Sequence, residues 1–172
     1  MFDPTAFDNL KVILEGIVYE HDLSGAILVI ERNDLVNLAD LSRRFNTIFV
    51  NRKDRRQLVE GKVELRASFR DLSSEWMSVA SESGAWLSIS YFIQRPMDEI
   101  LERRIEKYVK KTFSFDFSFH WERIIDSNGK DQFRISLEKR EPILEKTADQ
   151  LPNLISNVME GLEALYFMVK NP

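Results

Sequence analysis

The chain has no cysteine. Disulfides, thiolate nucleophiles and sulfur-ligated metal sites are therefore excluded together, and the composition suits a reducing compartment. Glycine and proline are scarce, 6 and 5 in 172 residues, which argues against a fibrous or linker-rich chain. There are only 2 histidines. No purely apolar run exceeds a few residues, far short of a membrane span. The opening "MFDPTAFDNLK" is acidic before any apolar stretch, unlike a secretory signal, so the expected location is cytoplasmic. No G-x-S-x-G elbow, no S-x-x-K with its companions, no G-x-G-x-x-G, no Walker A loop and no H-E-x-x-H is present. By these signatures the sequence offers no catalytic, cofactor-binding or metal-binding residue, and the reading leans away from an enzyme.

What is present is ordinary for a globular protein: 44% apolar and 30% charged residues. The length suffices to bury a full core, so residues 1–172 are read as a single α+β domain. A net charge of −4 and a pI near 5.3 give no overall pull toward nucleic acid or anionic membranes.

Residues 4–21 carry two signals. Phe7, Leu10, Ile13, Leu14, Ile17 and Val18 recur at helical spacing, with Asp3 placed to cap and Pro4 at the first helical position. Val12, Ile13, Ile17, Val18 and Tyr19 favour strand, and Gly16 weakens a helix by about 1 kcal/mol. Helix is the expectation. "DLSG" (22–25) reads as a turn, "AILVIER" (26–32) as a buried strand, and 33–45 as a loop or one short helix. Strands are expected over 46–52, 62–70 and 85–93, with a serine-rich loop over 71–84 and one helical turn near Trp76.

The clearest helix is 96–111. Pro96 opens it, Asp98 and Glu99 lie in its first turn, and Lys110 and Lys111 lie in its last. "FSFDFSFHWE" (113–122) then places Phe113, Phe115, Phe117, Phe119 and Trp121 on one face of a strand. Asn128-Gly129 signals a tight hairpin into a strand over 132–138. A final helix covers 147–170, with Asp149 as its cap. This order implies a mostly antiparallel sheet of about six strands, with two or three helices packed on one face.

The five rings suit a core wall, a pocket lining or a base-stacking platform. The core wall is preferred. The helices on either side need a cover, and Asp116 and Glu122 on the alternate face do not suit a platform. A pocket would lie beside His120 or Tyr91.

The densest basic cluster is "NRKDRR" (51–56), with Arg43 and Arg44 upstream. Arg43, Arg44, Arg52, Lys53, Arg55 and Arg56 are therefore the candidate contacts for an anion or nucleic acid, although a solvated turn explains the cluster more simply. The last helix has apolar residues beyond one stripe. Met159, Tyr166 and Phe167 are the candidate interface of a homodimer, or else part of the core.

"MFDPTAFDNLKVILEG", and more loosely "LADLSRRF", resemble the N-terminal regions of uncharacterised cytosolic proteins of Gram-positive spore-forming bacteria. The likeness covers about the first third of the chain and implies a bacterial accessory protein, with no activity or site residues attached. The expected role is therefore non-enzymatic: binding to protein, with self-association as one form. A nucleic-acid accessory factor and a small-ligand protein or enzyme are the alternatives.

Overall fold

Helix α1 spans Ala6–Leu23 and starts where the Thr5 hydroxyl accepts from the Asp8 amide at 3.2 Å. Asp3 and Pro4, the expected cap, lie outside the described residues. The structure, a computed structural model, describes residues 5–73, 84–113, 116–125 and 127–171. Phe7, Leu10, Leu14 and Val18 are buried along one side of α1. That continuous packing face outweighs the strand preference of its β-branched residues, since most helical stability comes from tertiary contact.

The strands are β1 (Ile27–Asn37), β2 (Ser42–Asn51), β3 (Val59–Ala67), β4 (Gly84–Ile93), β5 (Phe117–Ile125), β6 (Asp131–Lys139) and the two-residue β7 (Ile143–Leu144). They form an antiparallel sheet in the order β1-β2-β3-β4-β6-β5, with β7 added to the end of β4. The stretch 33–45 is not a loop or helix. It completes β1, turns, and opens β2. Asn33 and Asp34 are poor strand formers alone. Here the ladder Asn33↔Asn46 to Asn37↔Ser42 holds them, and ion pairs tie Asp34 to Lys11 and Arg32 to Glu15 across to α1.

The remaining helices are α2 (Phe69–Ser73), α3 (Glu99–Thr112) and α4 (Leu151–Lys170). Helix α3 starts at Glu99 rather than at Pro96, capped by Asp98, which accepts from the Leu101 amide at 2.8 Å. Asp149 does not cap α4 either. A 3₁₀ segment over Glu145–Gln150 runs into α4 through Gln150, which makes no side-chain cap bond. The connection from β5 to β6 is also longer than a two-residue hairpin. Ile125 pairs with Asp131, leaving five residues between them, with Gly129 at φ 76°. No helix among the described residues is long and apolar enough to cross a membrane.

Helices α1, α3 and α4 bury Leu10, Leu14, Leu101, Ile105, Ile155, Val158 and Leu162 against one face of the sheet. Cross-strand neighbours Val63, Ile89 and Leu137 form the middle of that face. The aromatic run contributes to it unevenly. Phe113 ends α3 rather than starting a strand, and it meets Phe117 edge-on at 5.7 Å. Phe117 is buried, while Phe119 and Trp121 are half-buried because β5 is the last strand of the sheet. Phe115 lies outside the described residues, as do residues 74–83, where the turn near Trp76 was expected. Tyr91 points into the core, with its side chain fully buried.

The opposite face of the sheet carries the polar half of each strand. Lys62, Glu64, Arg66, Trp86, Ser88, Arg134, Glu138 and His120 all lie there.

Candidate functional site

The six basic candidates do not converge. Arg43 and Arg44 are consecutive in β2, so they point to opposite faces. Arg43 lies on the helix side, 2.7 Å from Asp8 and 3.7 Å from Asp34, above the ring of Phe7. Asp8 answers in kind: burial alone would raise its pKa, but the Thr5 hydroxyl and Arg43 together hold it below the usual carboxylate range.

Arg52 donates to the Ile27 carbonyl and to the Asp22 carboxylate, at 3.2 and 3.0 Å. Lys53 reaches Glu163 at 3.3 Å and lies over Phe167. Arg55 and Arg56 stand exposed on the loop after β2. Two buried polar groups frame that loop. The Asn51 side chain accepts from the Lys53 amide, and Asp54, 3% exposed, accepts from the Val59 amide at 3.0 Å. Five of the six cations therefore lie apart from Arg44, and three of them are engaged in local ion pairs.

The interface candidates on α4 separate as well. Met159 and Tyr166 are buried in the chain itself, and the Tyr166 hydroxyl donates to the Lys53 carbonyl at 3.1 Å. Phe167 alone is exposed. Elsewhere, His120 is exposed on β5, two residues from Glu122, whose carboxylate takes Arg134 at 3.2 Å. No group of three or more His, Asp or Glu side chains among the described residues is placed to hold a metal ion.

Two other surfaces stand out. The first is the outer side of α1. Val12, Gly16, Tyr19 and Leu23 recur at spacings of four, three and four, which puts them on one stripe opposite the buried face. Val12, Tyr19 and Leu23 are 65%, 62% and 70% exposed. A Cβ added to Gly16 would meet nothing within 4 Å. Along the β1 side of the stripe the charges are satisfied within the chain: Lys11 with Asp34, Glu15 with Arg32, Asp22 with Arg52. Between α1 and β1 runs a groove of about 600 Å³, with Val29 and Phe45 among its apolar residues. Thr47 also lines it, and the Thr47 hydroxyl has no hydrogen-bond partner among the described residues.

The second surface is a broad cleft of about 1090 Å³ on the open face of the sheet, at the end where α2 and β7 lie. Arg44, Arg66, Arg70 and Trp86 line it, together with Asp40, Asp71, Leu35, Pro142 and Leu144.

The α1 stripe corresponds to a second periodicity over 12–23, masked in the sequence by the stronger core-facing one. The cleft was not legible in the sequence, because Arg44, Arg66 and Trp86 become neighbours only through strand register. Family models, curated proteins and solved structures were all compared with this chain, and none matches it.

Proposed function

We propose that this chain is a non-enzymatic protein-binding protein that works as a homodimer joined through α1. The observation that carries the proposal is Gly16 at the middle of an exposed apolar stripe. Glycine inside a helix costs about 1 kcal/mol relative to alanine. Among the described residues nothing needs that glycine, since a methyl group there would meet no neighbour within 4 Å. A second helix crossing at this point would need it, because the missing side chain lets the two backbones approach closely.

A second copy is the partner the surface suits. A two-fold axis near Gly16 sets Val12 of one copy near Tyr19 of the other, so the stripe is self-complementary as an isologous contact requires. The charges along its β1 side are already neutralised within each chain, so two acidic copies meet there with little repulsion. Exposed Tyr19, Val12 and Leu23 supply the aromatic and aliphatic anchors typical of interface centres. A cytoplasmic, reducing setting agrees with the cysteine-free composition.

Sedimentation velocity at micromolar concentration tests the proposal. The wild type is expected to be a dimer. Tyr19→Glu and Gly16→Leu should each weaken association by about tenfold or more, the size of one lost anchor at an interface centre. Both variants should keep the wild-type circular dichroism, because both positions are exposed. A monomeric wild type, or a dimer indifferent to both changes, would sink it.

A further inference from the structure

The open-face cleft carries an inference independent of α1, which packs on the other side of the sheet. Leu35 pairs with Arg44, Arg44 with Arg66, and Arg66 with Trp86, so these four form one row across β1 to β4. Directly opposed side chains on antiparallel strands lie about 4.5–5.5 Å apart at Cβ, and like charges so placed repel. Among the other described pairs on this face no two like charges are opposed: Glu122 faces Arg134, and Lys62 faces Ile48 and Ser90. Arg44 facing Arg66 is the exception.

The carboxylates nearby offset it only in part. Glu64 lies 3.5 Å from Arg44 but is shared with Lys62. Asp40 accepts from the Ser42 amide at 2.9 Å, and Asp71 from the Ser68 amide and hydroxyl at 2.8 and 2.7 Å. Both acids also line the cleft, and the hydrogen bonds from Ser42, helped by Arg44, hold the Asp40 carboxyl below its ordinary pKa. Arg66 and Arg70 are exposed and have no ion-pair partner among the described residues. Three guanidinium groups and the carboxylates of Asp40 and Asp71 thus line one cleft, with Arg66 and Arg70 in no ion pair among the described residues, next to an indole that is 39% exposed.

We propose that this cleft binds a nucleoside monophosphate or a closely similar organic phosphate bearing a planar ring. The phosphate lies among Arg44, Arg66 and Arg70, whose planar forks match its oxygens in pairs. The ring lies against Trp86, with the planar Arg66 guanidinium beside it as a second flat surface. Leu35, Pro142 and Leu144 supply the apolar edge of the cleft. A dianion removes the repulsion between Arg44 and Arg66, which a neutral ligand leaves in place.

Isothermal titration calorimetry of the full chain with adenosine monophosphate, adenosine and inorganic phosphate tests this. Adenosine monophosphate should bind, with adenosine and phosphate each weaker by about tenfold or more, since each lacks half of the recognised chemistry. Arg66→Glu should abolish binding. Trp86→Ala should weaken it by about tenfold while leaving the affinity for inorganic phosphate unchanged. Thermal melts of both variants should match the wild type, and Arg66→Gln serves as a milder second variant. The proposal is overturned if adenosine monophosphate gives no heat at millimolar concentration. It is also overturned if inorganic phosphate binds equally well, or if Arg66→Glu and Arg66→Gln both bind as the wild type does. A single-stranded decanucleotide that binds about a hundredfold more tightly than the mononucleotide would reassign the cleft to nucleic acid and overturn it as well.

Discussion

The Tyr91 hydroxyl donates to the Val158 carbonyl at 2.9 Å, and it occupies the space where a side chain on Gly161 would stand. Tyr91 is fully buried in β4, near the centre of the sheet, and burial pushes its pKa well up. Gly161 lies on α4 directly above it. A Cβ at Gly161 would come 2.5 Å from Tyr91 Oη, so this glycine is what lets α4 settle onto β4.

Two variants and their combination test that relationship. Tyr91→Phe should cost about 1 kcal/mol, the usual net value of one buried hydrogen bond. Gly161→Ala should cost about 1–3 kcal/mol through overpacking, despite its gain in helix propensity. The double variant should be less destabilised than the sum, because removing the hydroxyl frees the space the new methyl group needs. Strict additivity in denaturant melts would show that the two groups do not meet.

The pairing of Asp8 with Thr5 and Arg43 predicts a pH dependence. Its carboxyl is held below the ordinary value of 3.8 in the folded chain. Stability from this group is therefore fully present above the unfolded value and is lost as pH falls through the lowered folded value. Asp8→Asn should be less stable than the wild type at neutral pH by about 0.5–1 kcal/mol, as for a partly exposed charge at a helix start. The difference should vanish in strong acid. Urea midpoints measured from neutral pH to below 3 would show a gap that closes. A gap constant with pH would mean that the contribution is not electrostatic.

Much of the architecture could be read from periodicity. The alternation in 62–70 and 85–93, the capped helix at 96–111 and the apolar stripe of the last helix each correspond to an observed element. The misreadings occurred where tertiary partners overrode local preference. Asn33, Asp34 and Asn37 look like loop residues, yet they sit in a strand because β2 and α1 supply their partners. Met159 and Tyr166 looked surplus to one helical stripe, but α4 is flanked by α1 and α3 as well as resting on the sheet, so it is buried on a wider arc. The basic cluster was a property of sequence adjacency. Strand geometry sent Arg43 and Arg44 to opposite faces and made Arg44 a neighbour of Arg66, 22 positions away along the chain and directly opposite in the β2–β3 register.

The aromatic run supplies the last prediction. Its rings are not equivalent, because the strand begins at Phe117 and lies at the sheet's edge. Phe117 is 3% exposed, packs edge-on against Phe113, and belongs to the core shared by α3 and α4. Phe119, two residues on, packs against that core from its margin and keeps part of its ring in water. Phe117→Ala should therefore cost about 3–5 kcal/mol, the range for a phenylalanine removed from a core. Phe119→Ala should cost about half as much, in proportion to the apolar area it takes out of water. Equilibrium denaturation of both variants, with unchanged slopes against denaturant, gives the two numbers directly. Equal losses would mean that β5 is covered along its whole length, and a Phe117→Ala loss below about 1 kcal/mol would remove that ring from the core, since only exposed positions tolerate truncation so cheaply.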